Sequence, residues 1–175
     1  KAHLITGHTH YNLNVVFNEN LMEHNTAAVC GTWWKADVCL DGTPRGYGVY
    51  EVNGNDVKWY YKSSGYPKEH QFRSYPAGAS KEHPSDIIAN VWNWDKNWKV
   101  EWLENGKVMG TMTQYTGVDP YAHQVCTDKK RTMQSWISAA STGHMFRATP
   151  RNPKAKIEIR VTDRFGKVYQ QNVSK

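Results

Sequence analysis

Trp98-Lys99-Val100-Glu101-Trp102-Leu103-Glu104-Asn105-Gly106-Lys107-Val108-Met109-Gly110-Thr111-Met112-Thr113 is the stretch on which the fold turns. Trp98–Glu104 reads as a strand. Asn105-Gly106 is the two-residue turn a hairpin favours, because both residues tolerate positive φ, and Val108–Thr113 is the returning strand. Farther on, Ile157-Glu158-Ile159-Arg160-Val161 alternates apolar and charged side chains, the period-two pattern of a strand with one face in a core. Asp86–Trp94, His144–Ala148, Lys156–Thr162 and Lys167–Val173 supply further strands, the last two joined around Asp163-Arg164-Phe165-Gly166. Asp119 before Pro120 pairs an N-cap carboxylate with a proline at the first helical position, so a short helix or an irregular crossover fits Val118–Trp136. Six or seven strands over 86–175 make an immunoglobulin- or fibronectin-like β-sandwich. Trp92 and Trp94 share one parity, as do Trp98 and Trp102; this favours an aromatic sandwich core over a sugar-stacking platform.

Outward from the sandwich, Tyr75–Pro84 is rich in small residues and proline with no apolar period, and 76–85 reads as a linker. Residues 1–75 carry 7 basic and 7 acidic side chains, so the net charge of +6 belongs to residues 76–175. Ala2–Thr6, Leu13–Phe17, Ala27–Trp34, Tyr47–Val52 and Val57–Lys62 read as strands, the last two joined by a turn at Asn53–Asp56. Five short strands without a helix do not close a core of their own. The whole chain of 175 residues, 39% hydrophobic and 13% aromatic, excludes a disordered protein and a large multidomain enzyme. No apolar run reaches the roughly 18 residues of a membrane-spanning helix. Cys30, Cys39 and Cys126 form no C-x-x-C pair; a Cys30–Cys39 disulfide is one option, leaving Cys126 free.

The sharpest chemical signal is Gly7-His8-Thr9-His10 after the strand Ala2–Thr6. Two histidines two apart in a post-strand loop can face one centre, and imidazole suits Zn, Fe, Mn or Ni; a surface or packing pair is the alternative. Strand followed by Gly-His-Thr-His resembles the final signature of calcineurin-like metallophosphoesterases. Ala28-Val29-Cys30-Gly31-Thr32-Trp33-Trp34 and Asp41–Val52 look like the closing strands of that catalytic domain in secreted bacterial members, and 86–175 looks like the β-sandwich domain that follows it. The resemblance implies a mainly β chain: the C-terminal part of the catalytic sandwich over 1–75, a linker over 76–85, and an immunoglobulin-like sandwich. It implies His8 on the second and His10 on the first of two metal ions (Mn, Fe, Zn or Ni), which activate a hydroxide against a phosphoester. It also implies a secreted, periplasmic or cell-envelope location.

The family's upstream D-x-H, G-D-x-x-D and G-N-H-[DE] motifs are absent. Gly54-Asn55-Asp56, the nearest approach, lies in the hairpin turn. Two imidazoles cannot hold two ions, so the expectation is a chain that binds no metal stably, is inactive alone, and depends on an upstream catalytic region of the same polypeptide. A non-catalytic module for a glycan or an anionic ligand is the alternative. Arg45, in Asp41-Gly42-Thr43-Pro44-Arg45-Gly46, either contacts phosphate or simply belongs to a turn. Trp33 and Trp34, read as neighbours on opposite strand faces, either pack in a core or flank a substrate cleft. Lys129-Lys130-Arg131 with Arg147, Arg151, Lys154 and Lys156 attracts anions, but no nucleic-acid motif accompanies it. His123 and His144 read as hydrogen-bonded or surface residues. Uncovered strand edges at 2–62 would favour self-association into a homo-oligomer.

Overall fold

The computed structural model describes residues 1–128, 130, 134–152 and 154–173. It is mainly β, as expected. Strands run as β1 Ala2–Thr6, β2 Leu13–Asn18, β3 Leu21–Asn25, β4 Gly46–Asn53, β5 Asp56–Ser63, β6 Arg73–Tyr75, β7 Ile87–Asn90, β8 Lys99–Glu104, β9 Lys107–Thr111 and β10 Thr113–Val118. Helix α1 Pro120–Thr127 comes next, then β11 Ser141–Ala148, β12 Ile157–Thr162 and β13 Val168–Asn172. Asp119 caps the helix by accepting from the Ala122 amide, with Pro120 in its first turn. Among the described residues no helix is long and apolar enough to cross a membrane.

Two four-stranded antiparallel sheets, β10-β11-β7-β6 and β13-β12-β8-β9, face each other as the sandwich. The alternation of β12 does what its pattern implies. Ile159 and Val161 are fully buried, while Arg160 on the other face pairs with Glu101 of β8 at 2.9 Å. Val100, Trp102, Ile87, Ala89, Phe146 and Tyr169 close around them, each large apolar side chain contributing about 1.5–3 kcal/mol on burial. Trp98 and Trp102 lie in this core with Trp94 packed on it, and Trp92 joins a second cluster with Ala27, Cys39 and Tyr61. These four indoles are packing groups, not a platform for sugars. The strand β6 lies before the expected linker and hydrogen-bonds to β7 after it, so 76–85 connects two strands of one sheet.

The N-terminal part forms a β1-β3-β2 sheet, with β1 parallel to β3, and the β4-β5 hairpin. Arg164 ties both to the sandwich. Its guanidinium lies 4.8 Å from the Trp59 ring, 3.0 Å from Met22 Sδ and 3.5 Å from Asp95. Two expectations are corrected and one open choice is settled. Ala27–Trp34 is not a strand but a run of turns; β3, β6 and β10 are strands that the sequence pattern does not announce; and, of the options left open for the cysteines, the structure has Cys30, Cys39 and Cys126 as free thiols. Of the basic residues, Arg147 pairs with Asp86 at 2.8 Å and Lys156 with Glu158 at 3.2 Å, whereas Lys129 and Arg131 lie outside the described residues.

Candidate functional site

The two-histidine loop leaves β1 at Thr6. The left-handed backbone positions are the histidines themselves, His8 at φ 76° and His10 at φ 58°, rather than Gly7. Asn25 of β3 holds the loop from below: its amide donates to Thr9 Oγ1 at 2.5 Å and to the Tyr11 carbonyl at 3.0 Å. His8 is exposed. His10 is half-buried, its ring stacked on Trp33 with centroids 4.9 Å apart and planes 27° apart, and its Nδ1 lies 3.8 Å from Cys30 Sγ.

Trp33 reaches His10 because of the turn that replaces the expected strand. Gly31 sits at φ 55°, where a Cβ would come within 2.6 Å of the Ala36 carbonyl, so the chain folds back tightly there. The Trp34 amide then donates to the Cys30 carbonyl at 2.8 Å, that of Lys35 to Thr32 at 2.8 Å, and Thr32 Oγ1 to Val38 at 2.5 Å. Trp33 and Trp34 are held at φ 45° and 65°. Both rings project to solvent, 39% and 76% exposed, and Trp33 meets Trp136, itself 63% exposed, edge to face at 4.9 Å. His10, Trp33 and Trp136 thus form one aromatic corner beside the loop, with the exposed Trp34 next in the chain.

The Asp41–Gly46 segment is a turn, closed by Cys39 N to Thr43 O at 2.7 Å, with Arg45 exposed at its exit. Arg45 adjoins the Gly31 turn: its Cβ is 3.4 Å from where a Gly31 Cβ would stand. Asp41, 1% exposed, is the functional surprise of this turn. It accepts from the Asn12 amide at 2.9 Å and from Thr43 Oγ1 at 2.8 Å, and lies 3.2 Å from His144 Nε2. Asn12 donates onward to the Trp92 carbonyl at 2.5 Å. Asn90 gives its amide to the Asp41 carbonyl and to Asp119, so its oxygen is the acceptor for His144 Nδ1 at 2.7 Å. Tyr75 completes the network by donating to Asp119 at 2.7 Å; burial first, and then the Asp119 charge, raise its phenol well above the ordinary 10, so it stays a donor. Burial, then Asp41, push the Cys39 thiol up to about 12, so it is an inert packing group. At Gly42, φ 85°, a Cβ would collide with the Asp119 side chain, which explains the glycine.

This buried seam fixes the residue two positions after His10 to the sandwich. His144 is a hydrogen-bonded core residue, as expected, but its part in the seam has no sequence signal, because Asn12, Asp41, Asn90 and His144 share no pattern. Trp136 escapes sequence reasoning for the same reason. Of the expected residues the structure brings His10 and Trp33 into contact, with Cys30 and Trp136 added; Trp34 follows Trp33 in the turn, Arg45 adjoins Gly31 through its Cβ, and His8 stands exposed in the loop. As metal ligands, two imidazoles are a fitting but partial donor set: among the described residues no group of three or more His, Cys, Asp or Glu is placed to hold an ion. A family model described as the C terminal of calcineurin-like phosphoesterase matches residues 23–169. The matched stretch starts after the two-histidine loop and contains the turn, the seam and the sandwich. No curated protein and no solved structure matches the chain.

Proposed function

The chain belongs to the calcineurin-like phosphoesterases, as a C-terminal part of one, and from that premise we propose that its aromatic corner forms one wall of a phosphoester-hydrolysing centre. His8 and His10 would each give an imidazole to a two-metal site whose other ligands come from an upstream catalytic region. Ions bound there would supply an activated water and neutralise phosphate charge. The chain's own residues hold and orient. Trp33 fixes the plane of the His10 ring, Asn25 holds the loop between the histidines, and the Asn12–Asp41 bond anchors its exit to the sandwich. Arg45 adds positive charge at the rim. On the resemblance, the reading extends to a secreted, periplasmic or envelope location and to a chain that is inactive alone.

One observation carries it. Among the described residues five non-glycines have left-handed backbone; Asn105 serves the hairpin turn, and the other four are His8, His10, Trp33 and Trp34. Such positions cost about 1–3 kcal/mol each and cluster where geometry is kept for function. The test is metal content together with hydrolysis of p-nitrophenyl phosphate, for the isolated chain and for the polypeptide carrying its upstream region. The expected result is stoichiometric metal and turnover only in the longer protein, with His10→Ala losing both. Turnover with stoichiometric metal by the 175-residue chain would overturn the proposal.

A further inference from the structure

The histidine loop uses only one edge of the aromatic corner. Trp33 gives a ring to His10, but Trp34 and Trp136 are 76% and 63% exposed, and Val29, in the same run of turns as Trp34, is 51% exposed. Indole rings left in water at this density are a cost in a soluble domain and mark a binding surface. The rings are aimed by backbone geometry rather than left loose, since Trp33 and Trp34 both occupy left-handed positions fixed by the turn's hydrogen bonds.

The chemistry of the surroundings narrows what the rings take. A sugar platform surrounds its indoles with carboxylates and amides that satisfy hydroxyl groups; here the side chain stacked on Trp33 is the His10 imidazole, and the exposed Arg45 leaves the backbone beside Gly31 of the same turn. That set complements an anion joined to an apolar, planar group. The rings of Trp33 and Trp136 also run on from His10 in contact, at 4.9 Å and again 4.9 Å between centroids, so a phosphoester held at the loop would meet them with its ester group. A convex membrane-docking patch needs no such continuity with the loop. We infer that Trp33, Trp34 and Trp136 form the leaving-group subsite of the phosphoester centre, and that it takes an alcohol carrying a planar aromatic ring. The inference rests on the reading of the loop as a phosphoester site.

Binding alone tests it, without catalysis. The 175-residue chain is titrated with phenyl phosphate and with methyl phosphate while tryptophan emission is followed, and is sedimented with phosphatidylglycerol vesicles. Stacking on exposed indoles predicts that phenyl phosphate binds about tenfold more tightly than methyl phosphate. Trp34→Ala and Trp136→Ala should each bring that ratio below about threefold, with the circular dichroism unchanged. Equal binding of the two esters, a ratio that survives both substitutions, or capture by the vesicles overturns the inference. The catalytic reading fails separately: if the longer protein does not hydrolyse esters yet the ratio holds, the aromatic subsite stands and the reaction assigned to it falls.

Discussion

The sandwich interior and the seam beneath the histidine loop are equally buried and held by opposite means. Inside the sandwich, Ile159, Val161, Val100 and Trp102 exclude water through apolar area, which is non-directional and tolerates exchange of one hydrophobe for another. In the seam, Asn12, Asp41, Asn90, His144 and Asp119 are buried polar groups, each needing a particular partner in a particular place. The difference teaches where positional accuracy is built. A loop proposed to present two imidazoles is fixed better by directional bonds than by a greasy contact.

The contrast can be broken most severely by removing one member of each region. Trp102→Ala should cost about 3–5 kcal/mol, and Asp41→Ala a similar amount, because it strands the Asn12 amide, Thr43 and His144 together. For a chain of this size either loss lowers Tm by about 6–20 °C. What separates them is coupling. Asp41→Ala combined with Asn12→Ala should fall short of additive by about 0.5–3 kcal/mol, whereas Asp41→Ala combined with Trp102→Ala should add. Additivity in both cycles would mean that the seam is not a network.

A smaller effect comes with acid. Burial first, then His3 and Arg164, lower the His24 pKa to about 4, and burial with Arg73 lowers His70 to about 4. Asn14 spends its amide on Asn93, so His24 Nδ1 donates to Asn14 and His24 Nε2 accepts from His3 at 2.9 Å, an arrangement that needs a neutral ring. Both folded values lie below the ordinary 6.5, so the unfolded chain binds more protons between pH 6.5 and about 4. The associated stability is complete above 6.5 and is lost as pH falls toward 4. Urea midpoints measured across that window should fall for the native chain and fall less for His24→Gln. An identical slope would remove His24 from the account.

Legibility in the sequence divides along the same line. Alternation in Ile157–Val161 and the Asn105-Gly106 turn announce the sandwich, because apolar period and turn chemistry are local. The Gly-His-Thr-His signature announces the loop. The seam is silent, since its members are single polar residues tens of positions apart whose partnership exists only after folding. The Ala27–Trp34 error has a physical cause too. Val29, Trp33 and Trp34 carry strand propensity, but Gly31 and the hydroxyl of Thr32 bind the backbone into a turn, and tertiary context overrides propensity.

The smallest effect is the most telling, because it separates a corner kept for function from one kept for the fold. Glycine relieves left-handed strain of about 1–2 kcal/mol per residue and gives part of it back as unfolded-chain entropy. Urea unfolding of the double variant His8→Gly, Trp34→Gly, compared with the native chain, therefore tests the central claim directly. If the four strained aromatic residues serve a site, the variant is as stable as the native chain or up to about 1 kcal/mol more so. A loss of more than about 1 kcal/mol would show that these side chains hold the fold together, and the corner would not be a site.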